Sequence, residues 1–277
     1  MTITNRDGVI AGLASGADRL IIDKASLSNQ IAGRYASLWR ATGQPAQAAI
    51  PTTAAVCTSA LLGTSAFSNQ TAPTTSYVGW MFAVCSNSST SVEIQDRLAH
   101  IGGFVLNVAT AQTVSGMNLA SLSIPNDRLG SSNYSDVQWW LEVYTDGGAT
   151  ASNATINVTY DDDTTGNLNV QAVGGTVRPG MMFALTPLIP TAKQGKFIKG
   201  INTVTLSAST GTAGNFGFTA TRPRTTLPLP LANKQETFDW AALGLPEIPN
   251  DACVMYVVLP STTSTGTVRG GGKLIHG

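Results

Sequence analysis

The chain has 277 residues, 16 basic and 16 acidic side chains for a formal net charge of +0, and only 12% charged residues against 43% hydrophobic. No excess field is present to hold a polyanion, which argues against nucleic-acid binding through phosphate neutralisation, and no apolar run approaches the roughly 18 to 20 residues of a membrane-spanning helix. Ser and Thr make up roughly a fifth of the chain, so the surface is hydroxyl-rich and weakly charged, a composition that does little to keep copies apart.

The N-terminus, Met1-Thr2-Ile3-Thr4-Asn5-Arg6-Asp7, has no basic region followed by an apolar one, so no secretory signal is expected. Ile10, Leu13, Ala17, Leu20, Leu27, Ile31 and Leu38 recur at three- and four-residue steps and predict an amphipathic helical stretch. Gly12, Gly16 and Gly33 break it into one or two short helices, because each costs roughly 1 kcal/mol relative to Ala inside a helix. From Ala41 to Pro73 the chain is Ala, Thr, Ser, Pro and Gly with few apolar anchors, and reads as an irregular connector. Residues 1–75 are therefore expected to form an N-terminal arm, partly helical and partly extended, either disordered or ordered by a partner.

From Tyr77 the signal is β. Tyr77 to Cys85, Ile101 to Val108, Val137 to Tyr144, Thr155 to Tyr160, Leu168 to Val173, Met181 to Leu188, Lys196 to Ser207, Asn215 to Thr221 and Cys253 to Leu259 are short, rich in β-branched and aromatic residues, and bounded by turn chemistry. The spacing predicts a mainly β chain, an antiparallel β-sandwich of jelly-roll type over residues 76–277. The prolines between Thr221 and Pro230 predict an extended excursion over the surface near 222–250, Phe238 to Gly244 one helical turn, and Val268 to Gly277 a flexible tail.

Groups able to do acid–base chemistry are scarce. His100 sits at a strand entry, where a hydrogen-bonded structural role is expected, and His276 lies in the glycine-rich tail. The sequence has no Gly-x-Ser-x-Gly elbow, His-Glu-x-x-His pair or phosphate-binding Gly-x-x-x-x-Gly-Lys loop. Cys57, Cys85 and Cys253 lie far apart in apolar contexts and read as buried thiols. Asp161, Asp162 and Asp163 fit a solvated hairpin tip better than a Ca²⁺ loop. No catalytic residue, metal or cofactor is indicated. Trp139 and Trp140 are adjacent on a strand, which predicts one in the core and the other exposed at an interface or sugar platform.

The segments Tyr35 to Pro45 with Pro51 to Cys57, Asp96 to His100, and Val204 to Gly217 with Arg222-Pro223 resemble virion structural proteins of tailed bacteriophages, most closely capsid decoration (cement) proteins. That resemblance implies a non-enzymatic particle component, made in the host cytoplasm and carried on the capsid surface, whose partners are the major capsid protein and further copies of itself, a trimer being favoured. The arm would clamp the shell while the sandwich oligomerises, with Leu13, Leu20, Leu27, Ile31, Tyr35, Leu38, Trp39 and Trp140 as the candidate contact residues. A tail or baseplate component, or a host-surface or carbohydrate-binding module, shares the composition.

Overall fold

The computed structural model describes residues 3–15, 18–175 and 177–277. Ala17 and Gly16, both part of the helical stretch read from the sequence, lie outside the described residues. A helix, α1 (Arg6–Ala14), precedes β1 (Arg19–Lys24) and three two-residue strands, β2 (Ala36–Ser37), β3 (Gly43–Gln44) and β4 (Ala55–Val56). Next come β5 (Ser76–Cys85), β6 (Thr90–Phe104), β7 (Gln112–Thr113), a short helix α2 (Asn126–Leu129), β8 (Gln138–Thr145), β9 (Asn153–Tyr160), β10 (Thr165–Asn167) and β11 (Gln171–Ala172). The remainder holds β12 (Met182–Ala184), β13 (Ile198–Leu206), β14 (Asn215–Leu229), β15 (Glu236–Asp239), α3 (Trp240–Leu243), β16 (Glu247–Ile248), β17 (Val254–Leu259) and β18 (Val268–His276). The fold is mainly β, with antiparallel sheets arranged as sandwiches.

Two compact units are present, each with its own core. The first comprises Met1–Ala48, Thr58–Asp96 and Pro223–Gly277. Its main sheet runs β15-β5-β18-β1-β3, with β16 also on β5. The burial of β1 alternates outward and inward at every residue, the period that one wet face and one packed face demand. Its inward residues Leu20 and Ile22 join Val78, Met81 and Ala83 of β5 and Leu274 of β18, and these meet Val92 and Ile94 of β6, Leu227 and Leu229 of β14, and Val254, Tyr256 and Val258 of β17. The second unit comprises Ala49–Cys57 and Arg97–Arg222. There β10-β9-β13-β7 form one sheet, and Ile156, Val158, Ile201 and Val204 from it pack on Trp139, Leu141 and Val143 of β8 and on Phe216 and Phe218 of β14. Phe104 completes an aromatic cluster, its ring centroid 5.7 Å from those of both Phe216 and Phe218. Gly217 lies between these two phenylalanines because a Cβ there would run into the carbonyl of Ile101.

The division at residue 75 does not match these units, since the N-terminal segment is built into them. Among its described residues only Arg6–Ala14 is helical. Leu20 belongs to a strand, and Leu27 and Ile31 lie in a loop whose neighbours bond to the backbone of Pro260, Thr263 and Thr265. The three- and four-residue spacing misled because Leu13, Leu20 and Leu27 sit in a helix, a strand and a loop, so no common helical face exists. The connector is ordered by specific bonds: Lys24 Nζ donates to the carbonyls of Ala41 (3.0 Å) and Pro45 (2.6 Å), and Arg40 donates to Ala48 O at 2.6 Å.

Two further expectations are corrected. Val268 to His276 is the strand β18, paired on both sides by β1 and β5, so its backbone is held by two ladders despite three consecutive glycines. The proline stretch is not a surface excursion, because β14 continues through Pro223 and Pro228 with Leu227 and Leu229 in the core. Extended φ suits both proline and strand, so the prolines cost only their missing N–H groups. The helical turn after Phe238 is present as α3, capped by the Asp239 side chain accepting from Ala242 N at 2.9 Å and ended by Gly244 in the left-handed region.

Candidate functional site

In the second unit, Arg97 on β6 and Glu142 on β8 form an ion pair of 2.7 Å with both side chains fully buried. Arg97 also donates to Tyr144 Oη (3.0 Å) and His100 Nδ1 (3.1 Å), and Thr219 donates to Glu142 at 2.6 Å. Burial, the largest single influence, works against charge on Arg97, but Glu142, Tyr144 and Cys57 together hold the guanidinium above its ordinary pKa. Burial first, and then the Glu142 charge, push the Tyr144 phenol up. Arg128, also buried, donates to the carbonyls of Cys57 (2.8 Å) and Arg97 (3.1 Å). In the first unit, Asp96 accepts from Arg224 at 3.1 Å and from Cys253 N at 2.9 Å. These are cross-strand ties. His100 accordingly has the structural place expected of it.

A second constellation was not legible in the sequence. Ser76 Oγ lies 3.0 Å from His276 Nδ1, and His276 Nε2 lies 3.6 Å from Asp18 Oδ2, the order of a nucleophile, a base and an orienting carboxylate. Ser76 is only 1% exposed at the start of β5, and neither it nor His276 lines any of the three grooves on this unit. Asp18 instead accepts from Ser68 N at 2.5 Å, so the set fastens the start of β1 and the connector to β18. Its residues lie about 58 and 200 positions apart in the chain, beyond the reach of any local motif.

The Asp cluster is a hairpin tip between β9 and β10, as expected. Asp162 accepts from Thr164 and pairs with Lys196 at 3.0 Å, which together hold its carboxyl well below the usual range, and Asp163 contacts Lys199. All three cysteines are buried.

What remains is the outward face of the first unit's main sheet. Strand register places Arg19, Lys273 and Trp80 in one row, Ile21, Gly271 and Phe82 in the next, and Asp23, Arg269 and Val84 in a third. Ile21 is 58% exposed. Trp80 and Phe82 stand beside each other with centroids 5.5 Å apart. Because Gly271 has no side chain, a trough of about 530 Å³ opens between Ile21 and the aromatic pair. A second hollow of about 370 Å³ shares Arg19 and Ile21 and reaches Leu62, itself 61% exposed. Helix α1 covers the other end of the sheet, with Gly12 against Ile275, Leu13 near Gly79 and Lys273 Nζ donating to Leu13 O. On the opposite flank of β15, an apolar groove of about 690 Å³ is lined by Pro228, Pro230, Phe238 and Leu259.

Of the contact residues read from the sequence, Leu20, Leu38, Trp39 and Trp140 are interior. Trp139 and Trp140 are both buried, against the expectation of one exposed ring: Trp139 Nε1 donates to Ile198 O and Trp140 Nε1 to Thr221 Oγ1, each at 2.8 Å, so both strand faces are packed there. Leu13, Leu27 and Tyr35 are half-buried and Ile31 is exposed. Burial, then the charge of Glu93, push the Tyr35 phenol up to about 12. Ile21, Trp80 and Phe82 were missed because each belongs to a strand whose outward set only the register reveals.

No protein-family model and no curated protein matches the sequence. Among solved structures the chain is similar to proteins of infectious bursal disease virus. The Gt strain structure matches at 12% identity over 94% of this chain and 81% of that one, with a TM-score of 0.19. A mutant VP2 protein in derived T=1 particles matches at 13% over 98% and 82%, TM-score 0.18, and the T13 viral particle at 10% over 94% and 77%, TM-score 0.21. These are proteins of virus particles, and at such TM-scores the likeness assigns nothing to this chain.

Proposed function

We propose that the protein is a non-enzymatic structural component of a tailed-bacteriophage particle, which binds the major capsid protein on the capsid surface and stabilises the shell as a decoration protein that also associates with copies of itself. The observation that supports this reading best is the placement of charge. Arg97, Glu142, Arg128, Asp96 and Lys24 are buried and bonded inside the protein, and the Arg224 side chain is only 5% exposed against Asp96, while the open sheet face carries Ile21, Trp80 and Phe82 among Arg19, Asp23, Arg269 and Lys273. Such a body is suited to adhesion over a broad surface, where each contact is weak and repetition on a lattice supplies the affinity.

In this reading the shell contact is made by folded surface and not by a separate arm, because β1 and β2 are part of the first unit. Purified protein mixed with empty shells of the same virus should co-sediment, and electron cryomicroscopy should show regular density on the shell lattice. Protein that stays in the supernatant at saturating concentration would move the assignment to the tail or to a host-surface module.

A further inference from the structure

We infer that the open face of the β15-β5-β18-β1-β3 sheet is a contact between two copies of this chain, related by a two-fold axis and centred on Ile21. This rests on the self-association part of the proposed function and is independent of shell binding. Three observations on one strand carry it. Arg19, Ile21 and Asp23 are the outward residues of β1, in that order, so the strand displays a cation, an apolar knob and an anion at even spacing of two residues. An axis lying in the interface, across the strand at Ile21, reverses that order. It sets Arg19 of each copy on Asp23 of the other and brings the two Ile21 side chains together. The pattern is complementary to itself, which is the requirement of an isologous interface.

The same axis lays Lys273 of each copy over Arg269 of the other, but both cations are already engaged, Lys273 by Leu13 O and Arg269 by Asp23, and the rest of the surroundings fit the same occupant. Beside Ile21 the trough floored by Gly271 lets the paired isoleucines lie down toward the sheet, so the two faces approach to the roughly 10 Å of ordinary sheet stacking. Asp23 already accepts from Arg269 at 3.0 Å in a pair more than half exposed on both sides, a bond weak enough to be shared with an incoming Arg19. With a net charge of +0, nothing at long range opposes the encounter of two copies. Helix α1 lies over Ile275 and takes the amino group of Lys273, the cross-strand neighbour of Arg19, and leaves Ile21 and Asp23 open. A two-fold contact yields even-numbered assemblies, in contrast to the trimer that the phage resemblance implies.

The test is sedimentation velocity of the full chain over a concentration series up to about 100 µM. The unaltered protein should associate, and Ile21→Lys should weaken association by about tenfold or more. Arg19→Asp and Asp23→Arg should each weaken it several-fold, whereas the double exchange, Arg19→Asp with Asp23→Arg, should restore it because the pattern is then self-complementary with signs swapped. Circular dichroism checks that each variant is folded; all three positions are exposed. An unaltered protein that stays monomeric overturns self-association altogether. Association that Ile21→Lys leaves unchanged, or a double exchange no better than the single changes, overturns this face while leaving self-association standing.

Discussion

The two sandwiches differ in how the chain supplies them. The second unit takes nearly all its strands from one continuous stretch, Arg97–Arg222, with only Ala49–Cys57 added. The first gathers three separated pieces, and its central ladder pairs Arg19 with Lys273. Closing so long a loop brings no reward until the far segments meet, so the first unit depends on chain ends in a way the second does not. Buried charge adds a second contrast. Each unit holds a buried ion pair, Arg97 with Glu142 in the second and Arg224 with Asp96 in the first, but the first also carries Lys24 on carbonyl oxygens, its pKa lowered by burial.

The severest way to break the comparison is to delete residues 3–24. The first unit loses Leu20 and Ile22 together with the ladder that β18 makes on one side, and its amides should exchange freely in hydrogen-exchange mass spectrometry, while those of β9 and β13 stay protected. Equal loss in both units would show that the second cannot stand without the first. Next in size, Glu142→Leu leaves Arg97 charged and unpaired in the interior, and urea unfolding should show a loss of about 3–5 kcal/mol. Adding Arg97→Met should recover most of it.

Lys24 sharpens the contrast through pH. Burial lowers its pKa from 10.5 to about 8, so the unfolded chain binds more protons than the folded one between those values. Stability of the first unit should therefore rise as pH goes from about 8 to about 10.5, by up to about 3 kcal/mol, and the rise should vanish in Lys24→Met. Denaturation midpoints measured across that window decide it; a flat profile in the unaltered protein contradicts the assignment. The smallest effect is expected from Asp239→Ala, which removes the cap of a four-residue helix and should cost about 1 kcal/mol by the same assay.

Legibility in the sequence followed the same division. Runs in the second unit such as Val137 to Tyr144 and Lys196 to Ser207 announce themselves by local alternation and by the turns beside them, and the structure has β8 and β13 there. The first unit shows β5 and β17 in the same way but hides β1 and β18. Residues 268–276 carry Gly-Gly-Gly, a composition that reads as flexible, and they are strand only because β1 and β5 flank them. Residues 90–99 escape the reading for a related reason: Asp96 and Arg97 look like surface, yet each is buried with an oppositely charged partner across the sheet. The open face was illegible because Ile21, Gly271 and Phe82 become neighbours only through register, and the Ser76, His276 and Asp18 set only through topology.

The position of β18 also sets a clock on biosynthesis. At about 5–20 residues per second, a ribosome that has finished β1 needs roughly 10 to 50 s to reach Val268. From the moment each is complete until then, β1 and β5 have their facing edges unpaired, each a template for whatever strand arrives first. The glycines that keep β18 a poor strand on its own mean that the missing piece does not seek a stranger while it emerges, and the nascent chain's exposure to mispairing is confined to the wait itself.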